Sequence, residues 1–127
     1  MTLEDNLLPK PLSEKELHQL AMNIVGEELK KNNYEFLSVN SKLKKDPQFV
    51  CTKNKNLYFV IVRAVEYPKN PVKKDKLLIN KMNEHAKKFD ATLFYAGIGI
   101  ANAENYDFPV FKNSNYAIKF NGFEKIC

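Results

Sequence analysis

A chain of 127 residues is long enough for one domain whose core needs no disulfide or metal staple. Its 44% hydrophobic and 12% aromatic content excludes disorder, and no apolar run reaches the roughly 18 residues of a membrane-crossing helix. A net charge of +5 permits contact with nucleic acid or an anionic surface without requiring it. Only Cys51 and Cys127 carry thiols, and the acidic N-terminus lacks a signal-peptide pattern, so a reduced, cytoplasmic protein is expected.

Thr2 to Leu12, with Pro9 and Pro11, reads as an irregular arm (residues 1–12) ahead of one domain over 13–127. Ser13 and Glu16 have capping-box spacing and open a helix. Leu17, Leu20, Ala21, Ile24 and Leu29 share a face of it, and Asn32-Asn33 stops it. Tyr34 to Val39 and Gln48 to Thr52 read as strands joined by the charged segment Ser41 to Lys45. Lys53 to Asn56 is a turn, so the strand Leu57 to Val65 returns antiparallel. That strand is apolar on both faces, which places it centrally in a covered sheet, and Pro68 and Pro71 end it. Asp75 starts a second helix, with Leu78, Met82, Ala86 and Phe89 on its inner face. Ala91 to Ile100 is a fourth strand, loosened by Gly97 and Gly99. Val110-Phe111 and Tyr116 to Phe120 are short edge strands. The alternation predicts an α/β fold, a central mixed sheet flanked by helices.

Within this frame the chain carries Gly26-Glu27 on the first helix and Asn33-Tyr34-Glu35-Phe36-Leu37-Ser38-Val39-Asn40 on the first strand. The central strand reads Tyr58-Phe59-Val60-Ile61-Val62-Arg63. This layout resembles the PD-(D/E)xK nuclease superfamily, and is most similar to its small bacterial members that look like Holliday-junction resolvases. The resemblance covers about forty residues directly and implies the restriction-endonuclease-like fold. It also implies an Asp on the second strand and a Glu-x-Lys on the third, where this chain has Gln48, Ile61 and Arg63. In such nucleases carboxylates hold a divalent cation that activates water. Gln48 offers only a neutral carbonyl and Ile61 offers nothing. Arg63 keeps its proton near neutral pH, so Glu27 alone matches an acidic position.

Two consequences follow for the degenerate site at Glu27, Gln48, Ile61 and Arg63. No magnesium or manganese is expected there. Arg63, on so apolar a strand, is expected to pair with Glu27. Displaced ligands are the alternative, with Glu28, Asp46 and Glu66 nearby in sequence; Asp46 reads better as the start of a turn and Glu66 as a solvated group.

Other chemistry is sparse. His18 and His85 stand alone and read as surface or boundary histidines, and Cys51 reads as a packing residue. Gly97-Ile98-Gly99 lacks the third glycine and following helix of a dinucleotide loop. Two distant cysteines cannot hold an iron–sulfur cluster, and the chain is too short for a flavin domain. A role as the flavin- and iron–sulfur-bearing component of a sodium-translocating NADH–quinone reductase therefore finds no support, and no cofactor is expected. Tyr58, Tyr67, Tyr95 and Tyr106 offer rings on which bases stack, although packing is their commoner use.

Three functions fit this sequence. The first is a catalytically inactive nuclease-like domain that binds or scaffolds, with nucleic acid as the candidate partner. The second is a metal-dependent nuclease with displaced ligands. The third is a protein-interaction module or homo-oligomer. For the first, contact is expected to be weak and sequence-independent, around Lys42, Lys44, Lys45, Lys53 and Lys55.

Overall fold

The computed structural model describes residues 9–126; the expectations for Thr2 to Leu8 and for Cys127 lie outside the described residues. Helix α1 (Glu14–Lys31) starts as expected. The Ser13 hydroxyl accepts from the Glu16 amide at 3.2 Å, and the Glu16 carboxylate accepts from the Ser13 amide at 2.9 Å. Asn33, at a φ of 67°, takes the left-handed conformation that ends a helix and turns the chain into β1 (Glu35–Val39).

Strands β2 (Phe49–Lys53) and β3 (Asn56–Glu66) form a hairpin whose central residues, Asn54 and Lys55, both have positive φ. Such a two-residue turn matches the twist of the strands it joins and fixes their register, here Lys53 opposite Asn56 and Phe49 opposite Val60. Helix α2 (Lys76–Lys88) is capped by the Asp75 carboxylate, which accepts from the Leu77 and Leu78 amides. It carries the chain across to β4 (Ala91–Asn102), which pairs parallel with β3 over its length. Two short strands, β5 (Tyr116–Phe120) and β6 (Glu124–Ile126), line the far edge of β4, both antiparallel to it. The sheet order is β1-β2-β3-β4-β5, with β6 also on β4, so β3 is central as its apolar run predicts. Strand β6 is not among the elements expected from the sequence. Val110-Phe111 is a single bridge, Phe111 to Pro11, rather than a strand.

The result is a mixed six-stranded sheet between two helices. Side chains alternate along β3, and the alternation divides the core. Val60 and Val62 meet α1 through Leu17, Ala21, Val25 and Leu29, with Phe49, Cys51 and Ile98 in the same cluster. Phe59 and Ile61 meet α2 through Met82 and Ala86, with Leu93 and Tyr95. Cys51 is fully buried, and burial pushes its thiol up to about 11, which agrees with a packing role. Phe89, assigned to the inner face of α2, is 56% exposed and lies at the helix cap, with its ring against Phe59 and His85. No helix among the described residues is long and apolar enough to cross a membrane.

Candidate functional site

The four residues that the resemblance singles out, Glu27, Gln48, Ile61 and Arg63, do not form one group. Ile61 is fully buried beneath α2, and its side chain contributes only packing. Gln48 is also fully buried. Its Oε1 accepts from the Val62 amide at 2.7 Å, which ties the start of β2 to β3, while Nε2 has no partner. Glu27 lies in the α1 layer, on the opposite side of the sheet from Ile61, and its exposed carboxylate is 3.6 Å from Lys30. The expected pair between Glu27 and Arg63 is therefore corrected.

Arg63 pairs instead with Asp46. Nη1 donates to Oδ1 at 2.8 Å and Nη2 to Oδ2 at 2.7 Å, a bidentate contact. The Asp46 side chain is only 6% exposed and that of Arg63 17%. Nη1 also donates to the Val62 carbonyl at 2.9 Å, so the guanidinium is held on two sides. Asp46 is thus an ion-pair partner as well as the entry to β2, and this corrects its reading as a turn residue alone. Glu66 needs the same correction, because its Oε2 accepts from the Val110 amide at 3.0 Å rather than facing water.

This geometry does not suit a divalent cation. The Gln48 carbonyl is engaged by backbone, Ile61 has no donor atom, and the Asp46 carboxylate already faces a fixed positive charge. Nor do the alternative ligands converge. Glu28 lies on α1 and pairs with Lys31, Asp46 lies with Arg63, and Glu66 reaches Val110. Among the described residues no group of three or more His, Cys, Asp or Glu is arranged to hold a metal ion.

Beside the Arg63–Asp46 pair runs a cleft of about 560 Å³ between the segment Asn40–Asp46 and α2. Lys81, Glu84, His85 and Lys88, at i, i+3, i+4 and i+7, present one stripe of α2 to it, and Lys44 and Lys45 face them. Lys44 makes an exposed contact with Glu14 at 3.7 Å. Lys45, Lys81 and Lys88 make no ion pair among the described residues. Of the five expected lysines, the structure brings Lys44 and Lys45 into this cleft. Lys42 lines a separate depression with His18. Lys53 and Lys55 lie at the other end of β2, beyond a strand of about five residues and roughly 17 Å. There the Lys53 ammonium sits 5.0 Å from the Tyr34 ring. Lys81 and Lys88 were missed because lysines spaced along a helix read equally well as a solvated face.

His18, expected at the surface or a boundary, is 3% exposed, with no partner for Nε2. Burial and then the Arg63 charge hold its pKa below the usual imidazole value, against the opposing pull of the Ser41 backbone and Asp46. His85 is exposed, as expected, and packs against Phe59.

A family model described as a domain of unknown function matches residues 15–126. No curated protein and no solved structure matches the chain.

Proposed function

The chain belongs to that family, DUF8840, and from its own residues we propose that it is a catalytically silent, restriction-endonuclease-like module that binds nucleic acid. The order α1-β1-β2-β3-α2-β4 on a mixed sheet supports the restriction-endonuclease-like reading. The observation that carries the loss of catalysis is the bidentate Arg63–Asp46 pair beside a buried Ile61. Where the resemblance implies carboxylates and a lysine around a cation, this chain has a self-neutralised ion pair and a packed aliphatic side chain. The binding role rests on the cleft next to it, where lysines from two elements converge without enough carboxylates to neutralise them. Phosphates placed along such a cleft release counterions, which gives affinity without sequence preference.

Calorimetry with manganese, alone and with a short branched DNA, tests this reading. The expected result is no one-to-one metal site and no strand cleavage, with DNA heat that shrinks as salt rises. A one-to-one metal site lost in Asp46→Ala would restore the displaced-ligand nuclease.

A further inference from the structure

Of the four tyrosines with rings suited to stacking, the fold uses two as core. Tyr95 is 5% exposed, and Tyr58 stacks on Phe94 at 5.1 Å. Tyr67 and Tyr106 remain open, at 50% and 52% exposure, with ring centroids 5.3 Å apart and planes at 58°. They stand on different loops, one after β3 and one after β4, outside the carboxyl ends of the two parallel strands. That is where open α/β sheets commonly receive ligands.

The two loops are held firmly. The Tyr67 amide donates to the Ile100 carbonyl at 2.9 Å. Asn102, 4% exposed, donates to the Pro109 carbonyl and accepts from the Glu104 and Asn105 amides, which pins the loop that presents Tyr106. Pro71 lies directly on Gly97; a Cβ there would sit 1.9 Å from the Pro71 carbonyl oxygen, so glycine is what lets the 67–71 loop close on the sheet. Between the loops and β5 lies a groove of about 500 Å³. Lys69 and Lys119 line it and no carboxylate does. Aromatic rings, prolines and two cations, with no anion, suit a flat apolar group that carries a negative charge.

We propose that this groove holds one nucleotide of a single-stranded nucleic acid, with its base against Tyr67 and Tyr106 and its phosphate near Lys69 and Lys119. The assignment rests on the nucleic-acid reading and gives this groove, as distinct from the lysine cleft, unpaired strand as its ligand class. Stacking on tyrosine tolerates any base, in keeping with the absence of a base-reading element.

Anisotropy at low salt tests it with three labelled probes: a twelve-residue oligothymidylate, an abasic strand of equal length, and a duplex. The wild type should bind oligothymidylate about tenfold more tightly than the abasic strand, a preference of the size that base–aromatic stacking supplies. Tyr67→Ala with Tyr106→Ala should erase that preference and leave abasic and duplex binding unchanged. Tyr67→Phe with Tyr106→Phe should keep it. Lys69→Ala with Lys119→Ala should weaken both single strands. Circular dichroism confirms that each variant is folded. Equal affinity for the thymidylate and abasic strands, a preference that survives the alanine pair, or no single-strand binding overturns the groove assignment. Duplex binding and its loss in Lys45→Ala with Lys81→Ala report separately on the cleft. Displacement of the strand by micromolar thymidine monophosphate would overturn the assignment to a polymer.

Discussion

Arg63 and Asp46 join the middle of the sheet to the loop that leads into β2, through hydrogen bonds of 2.8 and 2.7 Å. With the Asp46 side chain 6% exposed and that of Arg63 17%, removal of either partner strands a charge in a poorly hydrated place. Asp46→Ala should therefore cost about 3 kcal/mol, the low end for a broken buried pair because Arg63 retains some water. Asp46→Leu combined with Arg63→Met should recover most of the loss, since apolar replacement of such a pair is often neutral. Urea unfolding of the wild type, the single and the double variants gives the coupling. Purely additive losses would show that the pair contributes no mutual stabilisation.

Gly97 gives a second prediction. Alanine there meets the Pro71 carbonyl oxygen at 1.9 Å, so the 67–71 loop must lift, at about 2 kcal/mol or more. Gly99→Ala meets its neighbours at 3.4 Å and should stay within about 1 kcal/mol of wild type. Denaturation midpoints compare the two. Equal effects would mean that the loop does not rest on Gly97 in solution.

Elements whose signals are local were legible in the sequence. The Ser13 box, the Asp75 cap, the hairpin at Asn54-Lys55 and the doubly apolar β3 all form where composition places them. Features that depend on register, or on which layer a helix joins, were not. Glu27 looked like the partner of Arg63 only through the family resemblance, whereas α1 puts it on the other side of the sheet. The true partner carries no such signal. The two-residue turn fixes the register from Lys53 opposite Asn56 to Phe49 opposite Val60, but the Gln48 amide also donates to the Val60 carbonyl, so the regular count slips before it reaches Asp46. The same count separates Lys53 and Lys55 from Lys44 and Lys45 by the length of β2. His18 is buried because the inner stripe of α1 is wider than the aliphatic residues alone suggest, and includes Met22 and Val25. The contact of the half-buried Glu66 carboxylate with the Val110 amide has no local signal, because its partner lies 44 residues away.

His18 predicts a pH dependence. Its folded pKa lies below the unfolded value of roughly 6.5, so the native state favours the neutral ring. The unfolded state therefore binds more protons in the window just below that value. Stability is complete above about pH 6.5 and declines as pH falls toward the folded pKa, below which this contribution levels off. Thermal unfolding between about pH 7.5 and 5.5 should show that decline, and His18→Leu should flatten it. An unchanged slope in the variant would assign the decline to other groups.

Cys51 should be inert in the native state, because a fully buried thiol pushed up to about 11 offers almost no thiolate at about pH 8. In a Cys127→Ser background, Ellman's reagent should react only as fast as the protein opens, and urea should accelerate it. Reaction within seconds in buffer would contradict the packing that surrounds Cys51.

The role proposed for the cleft is tested most directly by the salt dependence of duplex DNA binding, followed by anisotropy in wild type and in Lys45→Ala with Lys81→Ala. Binding should be sequence-independent and fall steeply with salt. In the variant the slope of log affinity against log salt should be shallower by about two, near one unit for each phosphate contact removed. An unchanged slope and affinity in the variant, or no duplex binding even at low salt, would contradict the account.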